Sequence, residues 1–299
     1  MNRLNYEKVF KTLVEETGNY LVNHSLRAMV LGVSGGIDST VVAAICCEVN
    51  KQTNIPLIGR SLPIKNKKDE FDVSTLVGEA FCNNFDVANL YDEYKYFLSG
   101  LVWREERIDL LDDTETMHPE KSKQQTLIAN GNIQARLRMI YLYNLASIHN
   151  GLVMSTDNQT EYQLGFWTIH GDVGDFDPIQ DLWKTEVYQL AEWLKLFYYT
   201  DGDDADKAVA IGESIKLTPT DGLGISNSDL DQIGAKSYND VDRVLQTLVC
   251  PASPENDRVQ DALTVEIGPE IIDKIIKRRS NSRFKREKSP IYISRERYE

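Results

Sequence analysis

The stretch Leu31-Gly32-Val33-Ser34-Gly35-Gly36-Ile37-Asp38-Ser39-Thr40 constrains this chain more than any other. Before it, Ala28-Met29-Val30-Leu31 is an apolar run of the kind that makes a buried parallel strand. After it, Val41-Val42-Ala43-Ala44-Ile45-Cys46-Cys47 begins a buried helix. Strand, glycine-rich turn and helix together make an anion site: glycines let the backbone approach a phosphate, and the helix N-terminus offers unpaired N–H groups and the positive end of its dipole. The turn lacks the Lys of a G-x-x-x-x-G-K-[ST] loop and does not read G-x-G-x-x-G. It carries two hydroxyls, Ser34 and Ser39, and one carboxylate, Asp38. A carboxylate beside a phosphate is repulsive unless a cation lies between them, so Asp38 points to Mg²⁺.

The turn resembles the pyrophosphate loop of the ATP pyrophosphatases, enzymes that release AMP and pyrophosphate. The loop alone does not choose among their NAD synthetase, GMP synthetase, argininosuccinate synthetase and tRNA-thiolating branches. Composition narrows the choice. A formal net charge of −13 over 299 residues argues against broad nucleic-acid binding. No apolar run reaches the ~20 residues that span a bilayer. The N-terminus has no secretory apolar region, and Cys46, Cys47, Cys82 and Cys250 show no metal-ligand spacing. Reduced thiols and a cytoplasmic location are the expectation.

The chain reads as alternating strands and helices. An amphipathic helix over 4–22 precedes the turn. A strand within Ile55–Ile64, a helix over about 67–82 and a strand near Phe85–Leu90 follow it. The pattern predicts an α/β fold, a doubly wound, mostly parallel sheet with helices on both faces, binding ligands at the C-terminal strand ends. Residues 91–123 are polar and acidic and read as a helix plus a variable surface loop. A long helix is expected over Gln124–His149, with Arg136 and Arg138 on different sides. A strand over Gly151–Thr156 then leads into Asp157-Asn158-Gln159-Thr160-Glu161, a second polar strand end to partner the first.

Several further runs carry a closer resemblance. They are Gly131–Tyr141, Ser155-Thr156-Asp157-Asn158 with Glu161, Gly165-Phe166-Trp167-Thr168, Gly171-Asp172, Asp175-Phe176-Asp177-Pro178 and Leu182-Trp183-Lys184-Thr185-Glu186-Val187. Pro219-Thr220-Asp221-Gly222-Leu223, Leu230–Gly234, Ser237–Asp242 and Phe284-Lys285-Arg286 with Pro290 complete the set. In order and spacing these are similar to NAD synthetase from about residue 25 to 292. The resemblance implies an ATP-dependent amidation of deamido-NAD through an adenylate, with ammonia displacing AMP. It also implies a Rossmann-like fold of the ATP pyrophosphatase type and a homodimer with deamido-NAD near its interface.

By the same resemblance, Gly32, Val33, Ser34, Gly35, Gly36, Ile37, Asp38 and Ser39 bind ATP, with Thr156, Lys184 and Thr220. Asp38 and Glu161 hold Mg²⁺, and with Lys184 they are the catalytic residues. Hard oxygen donors from two neighbouring strand ends suit that ion. A Lys in a helix's first turn opposes the helix dipole, which gives Lys184 a reason outside its own helix. Arg136, Asp175 and Lys285 bind deamido-NAD, and Arg suits a phosphate or carboxylate through its fork. The pattern departs on the acceptor side. Ile169 stands where the family has a substrate-binding Lys, Phe284 stands where it has His, and the segment before Asp175 is one residue shorter.

The chain is thus expected to be a single synthetase domain over 1–299. It would carry a variable insertion at about 91–123, a basic C-terminal segment at about 274–299 and no glutaminase domain, taking free ammonia. Two alternatives stand beside this: another AMP-forming ATP pyrophosphatase that amidates a different carboxylate, and a nucleotide-binding regulator without catalysis.

Overall fold

A computed structural model describes residues 4–109, 119–200, 204–219, 229–249 and 262–287. Four short strands, β1 (Ala28–Gly32), β2 (Leu57–Ser61), β3 (Asn84–Val87) and β4 (Gly151–Val153), form one sheet in the order β3-β2-β1-β4. Every pairing is parallel, with Val30 opposite both Ile58 and Val153. The doubly wound α/β expectation holds. Strand order reverses between β1 and β4, since the chain moves outward from β1 through β2 and β3 and returns to β1's other side. In such sheets the carboxyl ends flanking that reversal open into a crevice.

Alternation along β1 explains the two layers. Met29 and Leu31 point into one apolar cluster and Ala28 and Val30 into another. The first cluster takes α1 (Tyr6–Asn23), α2 (Ile37–Thr53), α3 (Lys68–Phe81), α7 (Lys184–Thr200) and α8 (Ala205–Lys216). The second takes α4 (Tyr91–Asp109) and α5 (Pro119–His149). A third cluster joins α6 (Gln159–Leu164), α9 (Asp229–Ile233), α10 (Tyr238–Val249) and α11 (Pro269–Asn281) through Leu164, Ile233, Val241, Leu245 and Ile275. The basic turn Arg283–Arg286 follows α11.

Region 91–123 opens with the helix its sequence predicts, but the long helix after it begins before the expected Gln124. Helix α4 runs to Asp109 and α5 already starts at Pro119; residues 110–118 lie outside the described set. The polar composition hid a narrow apolar stripe. Tyr94 is 2% exposed, and Leu98, one turn on, packs against the same apolar cluster, which includes Val30 and Leu142. Pro119 fits a first helical turn, where its missing N–H costs nothing. Strand β4 is shorter than expected, but Met154 extends the line by a parallel bridge to Phe176. Among the described residues no helix is long and apolar enough to cross a membrane.

Candidate functional site

The turn after β1 is built from its own side chains. Gly35 adopts a left-handed backbone (φ 82°), and Gly36 precedes the first turn of α2. The Ser34 Oγ accepts the Gly36 N–H at 3.2 Å and lies 3.0 Å from Ser39 Oγ, which also donates to the Gly36 carbonyl. Val33 and Ile37 bury their side chains in the core (2% and 3% exposed), so they offer a ligand backbone alone. The carbonyl of Gly35 is tied from behind: Ser214 Oγ on α8 donates to it at 2.8 Å and accepts from Thr40 Oγ1 at 2.9 Å.

The second wall comes from the segment after β4. Asn158 caps α6 by accepting the Glu161 N–H at 3.1 Å, while Glu161 Oε2 accepts the Asn158 N–H at 3.1 Å. This reciprocal box fixes Glu161 at the helix start. Asn158 is fully buried and also donates through Nδ2 to Asp38 Oδ1 at 2.8 Å, locking the two strand ends together.

Lys184 opens α7 and is 2% exposed. Its Nζ donates to Asp38 Oδ2 at 2.5 Å and to Glu161 Oε1 at 3.0 Å. The ammonium also lies 5.5 Å from the centre of the Tyr238 ring. Burial disfavours the Lys184 charge, but Asp38 and Glu161 more than offset this and hold its pKa well above the usual lysine value. Burial pushes Glu161 up to about 7, against the opposing pull of Lys184. The first turn of α7 thus carries a cation against its own dipole because two carboxylates await it.

Acidic groups crowd behind this triad. Burial raises Asp157 well above the carboxylate range, helped by Glu161 and Asp177. Asp177 Oδ1 accepts the Ile179 N–H at 3.1 Å, while its Oδ2 is buried without a hydrogen-bond partner. Burial, with Asp38 nearby, pushes Asp177 up to about 7. The folded chain therefore holds this proton to higher pH than the unfolded chain, so stability falls as pH rises through the window from about 4 to about 7. Asp177→Asn keeps the Ile179 contact and removes the penalty. Its stabilising effect on the ligand-free protein is expected to grow by about 1–2 kcal/mol, a few degrees of melting temperature, between about pH 5.5 and about pH 7.5. Melting curves of variant and wild type that stay parallel across that range would refute the assignment.

Triad and turn line a cleft of about 590 Å³, together with Thr156, Thr218, Pro219, Trp167, Arg278 and Lys285. Thr220 lies outside the described residues. Lys285 donates to the carbonyls of Gly165, at 2.7 Å, and Trp167, and lies over the Trp167 ring. Burial and the neighbouring Arg278 lower its pKa. On the other side of Trp167, a second cleft of about 930 Å³ is lined by Arg136, Ile140, Tyr143, Ile169, His170, Phe284 and again Lys285. Arg136 donates to the Ile169 carbonyl at 3.0 Å. Asp175 accepts the Val153 N–H and the Tyr143 hydroxyl, each at 3.0 Å. Asp38, Glu161, Lys184, Thr156 and the turn thus come together, while Arg136 lines the second cleft, Asp175 meets that cleft only through its contact with Tyr143, and Lys285 touches both clefts.

Asn158, Thr160, Asp242 and Ser214 were not singled out from the sequence. The Asn158-Gln159-Thr160-Glu161 spacing is a capping-box pattern and could have flagged Asn158. Arg138, on a different side of α5 from Arg136, donates to the Leu62 carbonyl and Asn66 Oδ1 at 3.0 and 3.2 Å.

The family model described as NAD synthase matches residues 9–289. The NH(3)-dependent NAD(+) synthetase of Wolinella succinogenes is 29% identical over 294 residues, covering 97% of each chain. That of Thermoplasma acidophilum is 34% identical over 220 residues, covering 72% of this chain and 75% of the relative. A solved NMN synthetase from Francisella tularensis shares the fold with a TM-score of 0.72 at 23% identity, over 98% of this chain and 100% of its own. With a cation held between two strand-end carboxylates beside a phosphate-type turn, and with the family model spanning nearly all of it, the chain belongs to the NAD synthase family.

Proposed function

We propose that this protein is an ammonia-dependent NAD synthetase, a ligase that converts deamido-NAD to NAD at the expense of ATP. The observation that carries the reading is Lys184 held between Asp38 and Glu161 at the reversal of strand order, in a chain of this family. A carboxylate is a poor electrophile. An oxygen of the nicotinate carboxylate attacks the α-phosphorus of ATP, pyrophosphate leaves, and the acyl adenylate forms. Ammonia then attacks the acyl carbon, loses a proton, and AMP departs with the electron pair of the broken C–O bond.

The chain's own residues serve these steps by position and charge. The backbone from Gly32 to Ser39 and the hydroxyls of Ser34 and Ser39 receive the ATP phosphates, with Thr156 and Thr220 as further ATP contacts. Lys184 faces the negative charge that develops on pyrophosphate. Asp38 and Glu161 already converge on one cation, the Lys184 ammonium, at 2.5 and 3.0 Å. That convergence of hard oxygens fits a Mg²⁺ ion brought in with ATP. Asp38 and Glu161 would hold it, and it would neutralise charge on the polyphosphate. Arg136, Asp175 and Lys285 take the acceptor in the neighbouring cleft. That cleft continues onto exposed Ile140, Tyr143 and Phe284, and a homodimer covering this wall is part of the reading. So are a cytoplasmic setting, in keeping with the free thiols of Cys46, Cys47 and Cys82, and a single synthetase unit using free ammonia.

A second reading concerns the acceptor. Ile169 supplies a carbonyl and an apolar side chain where a cationic contact was expected, and it occupies the Arg136 guanidinium. A smaller nicotinate carboxylate, the mononucleotide, would need fewer contacts there. The test is AMP formation with ATP, Mg²⁺ and ammonium, run with deamido-NAD, with nicotinate mononucleotide and with neither. Stoichiometric AMP and NAD with the dinucleotide is expected. AMP with the mononucleotide alone would move the protein to the second reading, and AMP with neither acceptor would overturn both.

A further inference from the structure

The cleft's charged residues sit on two helix starts far apart in sequence. Glu161 lies in the first turn of α6 and Lys184 opens α7. Their side chains can keep a 3.0 Å contact only if the two helix starts are fixed to each other. A single carboxylate from a third helix does this. Asp242, on α10 and 1% exposed, accepts the Thr160 hydroxyl at 2.5 Å through Oδ1 and the Thr185 N–H at 2.9 Å through Oδ2. The same Thr160 hydroxyl accepts the Lys184 N–H at 2.9 Å. The links close a ring: first turn of α6, carboxylate of α10, first turn of α7.

Three features set this ring apart from ordinary packing. First, a buried carboxylate is expensive unless donors match it, and Asp242 spends both oxygens on these two helix starts. Burial pushes its pKa up, while Thr160 and Thr185 pull it down. Second, the start of α7 has free N–H groups and the positive end of a dipole, which any nearby acidic side chain could cap. Here part of the capping comes from 57 residues away, through a residue that grips α6 as well. Third, Tyr238 lies one helical turn before Asp242 and places its ring beside the Lys184 ammonium, so α10 addresses the Lys184 side chain as well as the backbone of its neighbour Thr185. Neither Thr160 nor Asp242 lines the cleft.

We infer that Thr160 and Asp242 are positioning residues for adenylation: they set the reach of Lys184 and its spacing from Glu161 without touching substrate. The inference rests on the reading of Lys184 and Glu161 given above. A displacement of about 1 Å at such a centre is worth on the order of 100-fold in rate. Thr160→Val keeps the shape and removes the hydroxyl. Asp242→Asn keeps the volume but leaves one acceptor oxygen for two donors, so it can accept from the Thr160 hydroxyl or from the Thr185 N–H and not from both. Thr160→Ser keeps the link.

The experiment compares the full chain with these three variants and the Thr160→Val/Asp242→Asn double variant, below the lowest melting temperature of the set. Two readouts are taken: kcat and ATP KM for AMP formation with deamido-NAD and ammonium, and the rate at which an amine-reactive reagent labels Lys184 in the ligand-free protein, followed by mass spectrometry. Thr160→Val and Asp242→Asn are expected to lose on the order of 100-fold in kcat. Their ATP KM should change by less than about threefold, and Lys184 should label about tenfold faster as it leaves its pocket. Thr160→Ser should stay near wild type. The double variant should lose no more than the worse single, because the two residues form one link. Unchanged kcat and labelling in Thr160→Val would overturn the inference, as would losses that simply multiply in the double variant. A wild type that makes no AMP from deamido-NAD would overturn the functional reading instead, and the labelling rates would still decide whether the ring holds Lys184.

Discussion

Lys184→Met should lower AMP formation per folded molecule by about 1000-fold, at the upper end of what one well-placed charge contributes to a transition state. Asp38 and Glu161 hold the Lys184 ammonium at 2.5 and 3.0 Å. It therefore waits beside the turn where phosphate charge is to develop, with little reorganisation left to make. Methionine fills the space and supplies no charge. The fold should survive at a cost. Breaking a fully buried pair typically costs about 3–5 kcal/mol. The side chains of Asp38 and Glu161 are 15% and 18% exposed, so water relieves part of the repulsion, and about 2–3 kcal/mol is expected. Glu161, already raised to about 7, should then take up a proton at neutral pH. The sign follows. Wild-type Glu161 already titrates at about 7, and without Lys184 the folded variant holds this proton to higher pH still, so the deficit against wild type should shrink as pH falls to about 7 and stay level below about 6. Single-turnover AMP formation and denaturant unfolding at two pH values measure both parts. A variant that turns over within about tenfold of wild type would show that Lys184 is a structural cation alone.

Much of this site could be read along the chain, because its parts are local. The apolar run of β1, the turn and the start of α2 are contiguous, and so are β4 and the first turn of α6. Lys184 was legible as a cation in a first helical turn, where dipole physics gives it no local reason to be. The unread parts are those in which one side chain answers a distant backbone. Ser214 lies 179 residues from the carbonyl it holds at Gly35, and Asp242 lies 82 residues from Thr160. No periodicity encodes such pairs, and α10 reads as an ordinary amphipathic helix with Asp242 among its polar positions. In region 91–123 the expected helix is present as α4, with Tyr94 and Leu98 on its apolar side, while the loop expected after it falls largely on residues outside the described set. Arg136, Ile169, Phe284 and Lys285 could each be picked out along the chain, yet not their meeting in a second cleft across Trp167, since that depends on how α5 and the turn after α11 flank one loop.

Gly35→Ala is the other change with a large expected effect, and it acts first on the fold. Gly35 has φ 82°, a conformation that costs an L-residue roughly 1–2 kcal/mol. An added Cβ would lie 2.8 Å from the Ser74 nitrogen and 2.9 Å from the Glu70 carbonyl oxygen. Both are backbone atoms of α3 and cannot swing aside as a side chain could. Overpacking of this kind typically costs about 1–3 kcal/mol, so a total loss of about 2–5 kcal/mol is expected. The turn's only escape from the clash is outward, and the Gly35 carbonyl would then strain its contact with Ser214. Outward movement displaces the N–H groups that are to meet phosphate. ATP affinity should therefore fall by on the order of 100-fold, and the loss should exceed any loss in kcat. Gly36 is the control one residue on. It has an ordinary φ of −66°, and a Cβ there would meet only the Ser34 Oγ at 3.3 Å, which can rotate. Gly36→Ala should cost less than half as much stability as Gly35→Ala in denaturant unfolding. Equal losses at the two positions would mean that the turn is not wedged against α3 and that its shape is held by something other than the Gly35 backbone.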